Sequence, residues 1–162
     1  MDRAGPGEVT RAGRESARAA RAAASARAHF DRDFNCAESV LAAIAGELGL
    51  RSSLIPKVAS GFGAGVSRQG SVCGAVAAAV MALGLKYGRI RPTQSRTPTY
   101  RRVQALCQRF ERKFGSIYCR DLVGHDISSA RALAKAMKSG VFATHCPEFV
   151  AEAVKLYFDL AR

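Results

Sequence analysis

The run Val72–Leu85, VCGAVAAAVMALGL, constrains this chain more than any other stretch. It carries no charge and small side chains on every side. A helix that is apolar all round must be buried. Fourteen residues fall short of the ~20 needed to span a bilayer. The run therefore predicts a helix over residues 73–87 at the centre of a bundle, ending near Gly88. The other elements have to pack around it.

Those elements also read as helices. Sustained alternation of β-branched and polar residues is missing, and helical spacing of apolar residues recurs throughout. Residues 8–30 form an Ala/Arg-rich helix. Residues 37–48, AESVLAAIAGEL, place Val40, Leu41, Ile44 and Leu48 on one face, with Gly49 as a stop. A short helix spans Ile55–Ser60. Pro92 and Pro98 make residues 89–98 a loop. The helix over 99–114 has the stripe Tyr100, Val103, Cys107, Phe110 and Phe114, and Gly115 stops it. Residues 119–123 make one short turn. Asp126, Ser128 or Ser129 caps the helix ARALAKAMK, which ends at Gly140. The last helix, within HCPEFVAEAVKLYFDL, takes Pro147 as its first residue. The expected fold is all-α, a single-domain bundle of about five to seven helices, with residues 1–30 as an N-terminal helical arm and 31–162 as the main domain.

The five cysteines follow a pattern. Cys36, Cys73, Cys119 and Cys146 each directly precede a helical stretch, whereas Cys107 lies mid-helix on an apolar stripe and reads as a core thiol. Helix N-termini offer free N–H groups and partial positive charge, which stabilise a thiolate and lower its pKa. Four such thiols from four helices can converge at one end of a bundle. None belongs to a C-x-x-C pair, and a reducing cytosol does not favour structural disulfides. The glycines Gly61, Gly63, Gly65 and Gly70 permit unusual backbone and close approach. Gly74 and Ala75 leave room around the Cys73 sulfur. A dinucleotide loop does not fit these glycines, because no strand precedes them.

The blocks NCAESVL, ASGFGAGVSRQGSVCGAVAAAVMALGLKYG, FERKFGSIYCRDLVGHD and HCPEFVAEAV, in this order and spacing, resemble the redox-active protein family named for its pattern C_GCAxxG_C_C. The likeness covers about residues 30–158. It carries the family's four cysteines onto Cys36, Cys73, Cys119 and Cys146. Within the central motif Cys73, Gly74 and Ala75 match, while Ala78 stands where the pattern closes with glycine. Cys107 is additional. Related domains in split-Soret cytochromes are associated with haem and an iron–sulfur centre. No C-x-x-C-H occurs here, so covalent c-type haem is not expected.

Two forms of redox site remain open. The four thiolates, with Gly74 beside them, would hold a [2Fe–2S] cluster for electron transfer, with zinc as the alternative. Otherwise two or more of the cysteines cycle between dithiol and disulfide, with Cys73 as the nucleophile and Cys36, Cys119 and Cys146 as unranked resolving thiols. The partner would be a redox protein or a small electron donor. His145 beside Cys146 is a candidate base or ligand, though a surface role is more common. His125 belongs to a turn and His29 to the arm. No hydrolase arrangement stands out.

The formal net charge of +12 is uneven. Residues 86–120 carry ten Lys or Arg against Glu111 alone. A second class of function follows, a non-enzymatic module docking an acidic partner or nucleic acid through 86–120, with structural cysteines. Few aromatics interleave with these charges, so nucleic acid is not the expected partner. The apolar helix 73–87 also leaves a homodimer open. No signal peptide or transmembrane segment is recognised, and the expected location is the cytoplasm.

Overall fold

The computed structural model describes residues 10–162. The first nine residues of the expected arm, including the start of the 8–30 helix, lie outside them. Eight helices follow: α1 (Arg11–Phe30), α2 (Cys36–Glu47), α3 (Gly63–Arg68), α4 (Gly74–Tyr87), α5 (Thr97–Phe114), α6 (Cys119–Val123), α7 (Ala130–Lys138) and α8 (Val141–Leu160), with a 3₁₀ turn at Lys57–Phe62. Among the described residues there is no strand, only an isolated antiparallel bridge between Val72 and Tyr118. The all-α, single-domain expectation holds, with one helix more than its upper bound.

Helix α4 lies where its composition requires. Ala75, Val76, Ala78, Ala79, Ala82 and Leu83 are all fully buried, with α2, α5 and α8 packed around them. Small residues let helix axes approach closely, so the core fills without large side chains at this seam. Ala78 is part of that seam, and its methyl group is accommodated. Helix α1 packs along α8 and α2, burying Ala22, Ala23 and Ala26. From Arg11 onward the Ala/Arg-rich segment is thus a member of the bundle.

One open choice is settled and two local readings change. Ser129 is the residue that caps α7, accepting from the Ala132 amide at 3.2 Å. On α5 the fully buried residues are Leu106 and Phe110, while Tyr100 is 56% exposed beneath the Arg96 guanidinium. The last helix begins at Val141, preceded by Gly140 at φ +74°, so Pro147 lies inside it. Proline lacks an N–H, which removes one i→i−4 bond but does not stop a helix held on two sides by packing. Cys146 is therefore an interior helical residue and not an N-terminal one.

Four of the ten Lys and Arg of the basic segment make contacts that join helices, although most of the ten are exposed. Arg102 lies 3.8 Å over the Tyr87 ring and donates to the Leu160 carbonyl at 3.1 Å. Lys86 donates to the Ala161 carbonyl. Arg109 pairs with Asp159, and Lys113 with Glu152 at 2.6 Å. These contacts fasten α4 and α5 to the C-terminal half of α8. These four of the ten basic residues thus have a structural use within the chain. Among the described residues no helix is long and apolar enough to cross a membrane.

Candidate thiol site

Cys36 is the first residue of α2, and the preceding Asn35 organises it. The Asn35 carboxamide oxygen accepts from the Ala37 and Glu38 amides at 2.9 and 3.0 Å. The Glu38 carboxylate accepts the Asn35 amide in return at 2.9 Å. This capping box fixes the start of α2. The Asn35 carboxamide also donates to the Ser60 carbonyl at 3.1 Å, which ties the 3₁₀ turn to the same spot.

The segment after that turn explains the glycines. Ala64, Gly65, Val66 and Ser67 all have left-handed backbone, with φ between 50° and 59°, and Arg68 follows at φ +73°. Left-handed helical residues other than glycine cost roughly 1–2 kcal/mol each, so such a run persists only where its surroundings enforce it. Here Ser67 donates to the Gly61 carbonyl at 2.8 Å, and Ser71 donates its amide to Gly65 at 3.2 Å. Gly65 is also a close-approach site. A Cβ there would stand 2.5 Å from Cβ of Cys119 and 2.8 Å from the Ser71 carbonyl oxygen.

Cys73 and Cys119 are held by the single bridge. The Cys73 amide donates to the Ile117 carbonyl at 2.8 Å, and the Cys119 amide to the Ser71 carbonyl at 2.7 Å. Each cysteine then begins its helix: Cys73 is the residue before α4 and Cys119 the first of α6. Flanking positions on one bridge share a face, which sets both thiols toward the same side. Cys146 arrives from the second turn of α8. Cys36, Cys73, Cys119 and Cys146 all line one cavity of about 150 Å³, enclosed by Phe30, Ala64, Leu122, Val123, Phe142 and Phe149. Phe149 is in turn braced by Phe110 and Phe114 of α5, with ring centroids at 6.1 and 4.9 Å.

The thiols are not equivalent. Cys36 is pulled down to about 7, chiefly by a hydrogen bond from the Cys73 thiol and then by the backbone N–H groups of Ala64, Ala37 and Cys36 itself, against the opposing effect of burial. Cys73 is pushed well above the ordinary thiol range by that same hydrogen bond and by burial. Ionisation is thereby favoured at Cys36 over Cys73. Burial, followed by the Cys36 charge, raises Cys119 to about 11. The same two effects and Cys119 raise Cys146 to about 12. The expectation that a helix start lowers each of the four pKa values holds for Cys36 alone. At Cys73 the hydrogen bond with Cys36 and then burial raise the pKa, at Cys119 removal from water outweighs the helix end, and Cys146 is not at a helix end.

The remaining candidates lie elsewhere. Cys107 packs against the core away from the cavity, and burial raises its pKa. His145 is exposed on α8, with Nδ1 2.8 Å from the Thr144 hydroxyl. His125 lies 3.3 Å from the Ser139 hydroxyl. Gly74 does belong to the site: a Cβ on it would stand 2.5 Å from the Cys36 sulfur. Sequence reasoning missed Asn35 and Ala64. The Asn-x-x-Glu spacing of Asn35 and Glu38 was a visible signal for the first; nothing in the sequence marked the amide of Ala64.

The family model described as "Putative redox-active protein (C_GCAxxG_C_C)" matches residues 34–160. The chain belongs to that family. Neither the curated proteins nor the solved structures contain a match to it. Four of the five cysteines of this C_GCAxxG_C_C protein, Cys36, Cys73, Cys119 and Cys146, line the cavity.

The donor set has the number and type suited to a [2Fe–2S] cluster or zinc. Among the described residues, no three Cys, His, Asp or Glu side chains draw together closely enough to hold a metal ion.

Proposed function

We propose that this protein is a thiol–disulfide redox protein whose reactive pair is Cys36 and Cys73. The observation that carries the reading is the placement of Cys36 and Cys73 on one cavity, with the Cys36 sulfur 2.5 Å from where a Cβ on Gly74, the residue after Cys73, would stand. The Cys36 thiol, with its pKa drawn down to about 7, then has a second thiol on the same cavity. A thiol whose pKa lies near ambient pH is the best attacking group, because thiolate fraction and intrinsic nucleophilicity are then balanced. Cys36 attacks an oxidised partner, and Cys73 resolves the intermediate to give the Cys36–Cys73 disulfide. Two electrons leave the pair. The Cys36 thiolate contributes no proton, and the Cys73 proton passes to the departing group.

Thiol counting tests this. Mild oxidation with diamide removes two thiols per chain, and dithiothreitol restores them. Cys36→Ser and Cys73→Ser each abolish the change, whereas Cys107→Ser leaves it intact. Loss of the two-thiol change in Cys107→Ser, or its retention in Cys36→Ser, contradicts the assignment.

A second reading is electron transfer through a cluster held by Cys36, Cys73, Cys119 and Cys146. It is favoured by the placement of all four thiols on one water-shielded cavity. It requires the thiols to draw closer than they stand. Protein purified without oxygen from iron-replete cells, assayed for iron, sulfide and zinc, distinguishes it from the first.

A further inference from the structure

Leu50, Leu54, Val58 and Leu85 line an open groove of about 620 Å³ between the segment after α2 and the last turn of α4. Each keeps between 42% and 65% of its surface exposed. Single exposed apolar residues are ordinary, but four on one groove make a contiguous patch of the kind that marks a contact surface. The two charged residues on the groove, Arg51 and Lys57, are both cations. Neither has an ion-pair partner among the described residues. No Asp or Glu occurs in the sequence from Leu48 to Phe110, so the segments that build the groove supply no carboxylate to answer these charges. The groove also adjoins the thiol site. The 3₁₀ turn Lys57–Phe62 starts on the groove at Lys57 and Val58. Its Ser60 carbonyl accepts from Asn35 on the cavity wall, and its Phe62 carbonyl oxygen faces Gly74. At ~2 Å of rise per residue, the two sites lie about 10 Å apart along that turn.

We propose that this groove docks an acidic amphipathic helix of a partner protein. The helix lays its apolar face on Leu50, Leu54, Val58 and Leu85 and sets its carboxylates against Arg51 and Lys57. Helix-in-groove recognition of this kind takes its energy from apolar anchors at helical spacing. The opposite charges at the rim fix orientation and exclude other partners. A second copy of this chain fits less well. A two-fold interface joins the same patch of each copy, so Arg51 and Lys57 of one copy would meet the same cations of the other. A flat lipid surface would touch the rim of a concave groove and leave its floor uncovered. Docking here brings the partner to the turn that borders the thiols, and the assignment stands whichever of those thiols react.

The test titrates the full chain into a fluorescent amphipathic peptide of about 18 residues, with Leu at i, i+3, i+4 and i+7 spacing and Glu at the flanking positions, and reads polarisation. The peptide carries no thiol, so the result is read apart from any reaction of Cys36 and Cys73. The Glu peptide binds, and more weakly as salt is raised. A peptide with the same Leu pattern and Lys in place of Glu binds about tenfold more weakly or worse. Arg51→Glu combined with Lys57→Glu reverses that preference. Leu54 is 65% exposed, and Leu54→Asp weakens binding of the Glu peptide by about tenfold or more; Val58→Asp serves if Leu54→Asp does not fold. No binding of the Glu peptide at about 1 mM, or equal binding of the Lys peptide, overturns the proposal. Self-association in sedimentation that Leu54→Asp abolishes would give the groove to a second copy. Retention on phosphatidylglycerol vesicles that Leu54→Asp abolishes would give it to a lipid surface. Either of these results overturns the acidic-helix assignment.

Discussion

Gly74 and Cys36 fit together as lock and space: the absent Cβ of Gly74 would stand 2.5 Å from the Cys36 sulfur and 2.8 Å from the Phe62 carbonyl oxygen. The glycine after Cys73 thus makes room for a different cysteine, one helix away. Gly74→Ala adds a methyl group to a closed site, and overpacking of this kind destabilises by typically ~1–3 kcal/mol. Denaturant unfolding is expected to show a loss in that range, together with a slower reaction of Cys36 with iodoacetamide. A variant as stable and as reactive as the parent would show that the sulfur has room to move.

This contact also marks what the sequence could and could not reveal. The apolar run Val72–Leu85 was enough to assign an all-α bundle, and helix starts marked Cys36, Cys73 and Cys119, because burial and helix starts leave local patterns. The start of α8 was misplaced because Pro147 favours a first-turn position, whereas the real boundary is Gly140, whose positive φ is a property of the fold. The left-handed run Ala64–Arg68 was invisible, since Ala, Val, Ser and Arg do not prefer that conformation and only tertiary contacts impose it. The distribution of pKa values was equally out of reach. It depends on which thiol gains amide donors and which loses water, and both are set by packing between distant segments.

Cys36 reactivity is expected to follow a titration near neutrality. With its pKa at about 7, alkylation rises through pH 7 and levels off above it. Removing the thiol hydrogen bond in Cys73→Ala removes the largest stabilising effect on the thiolate, so the midpoint moves up. Mass spectrometry of iodoacetamide-labelled Cys36 across pH 5–10 reads both midpoints. An unchanged midpoint in Cys73→Ala would show that Cys73 does not favour ionisation at Cys36.

The strained turn has its own signature. Gly65→Ala places a Cβ 2.5 Å from Cβ of Cys119, at φ +59°. The turn must shift, carrying the Ala64 amide away from Cys36. The expected result is a higher Cys36 midpoint together with a loss of stability of roughly 1–3 kcal/mol from the clash. Loss of stability with an unchanged midpoint would mean that Ala64 does not support the thiolate.

Asn35→Ala removes the capping box and the bond to Ser60. Loss of an N-cap side chain costs about 0.5–2 kcal/mol. Thermal or urea unfolding is expected to fall in that range, and no measurable change would place the start of α2 under the control of tertiary contacts instead.

Tyr157 offers the opposite case. Its hydroxyl is buried without a hydrogen-bond partner, and burial raises its pKa to about 12. Tyr157→Phe removes an unsatisfied group, whose desolvation penalty is about 1–3 kcal/mol. Urea unfolding is expected to show equal or greater stability. A clear loss would point to a partner for the hydroxyl.

The most direct test of the account is the identity of the first disulfide. The reduced protein is treated with one equivalent of diamide, remaining thiols are blocked, and linked peptides are identified by mass spectrometry. The account predicts a Cys36–Cys73 linkage, with Cys107, Cys119 and Cys146 recovered as blocked thiols. A first linkage that leaves Cys36 free would contradict it.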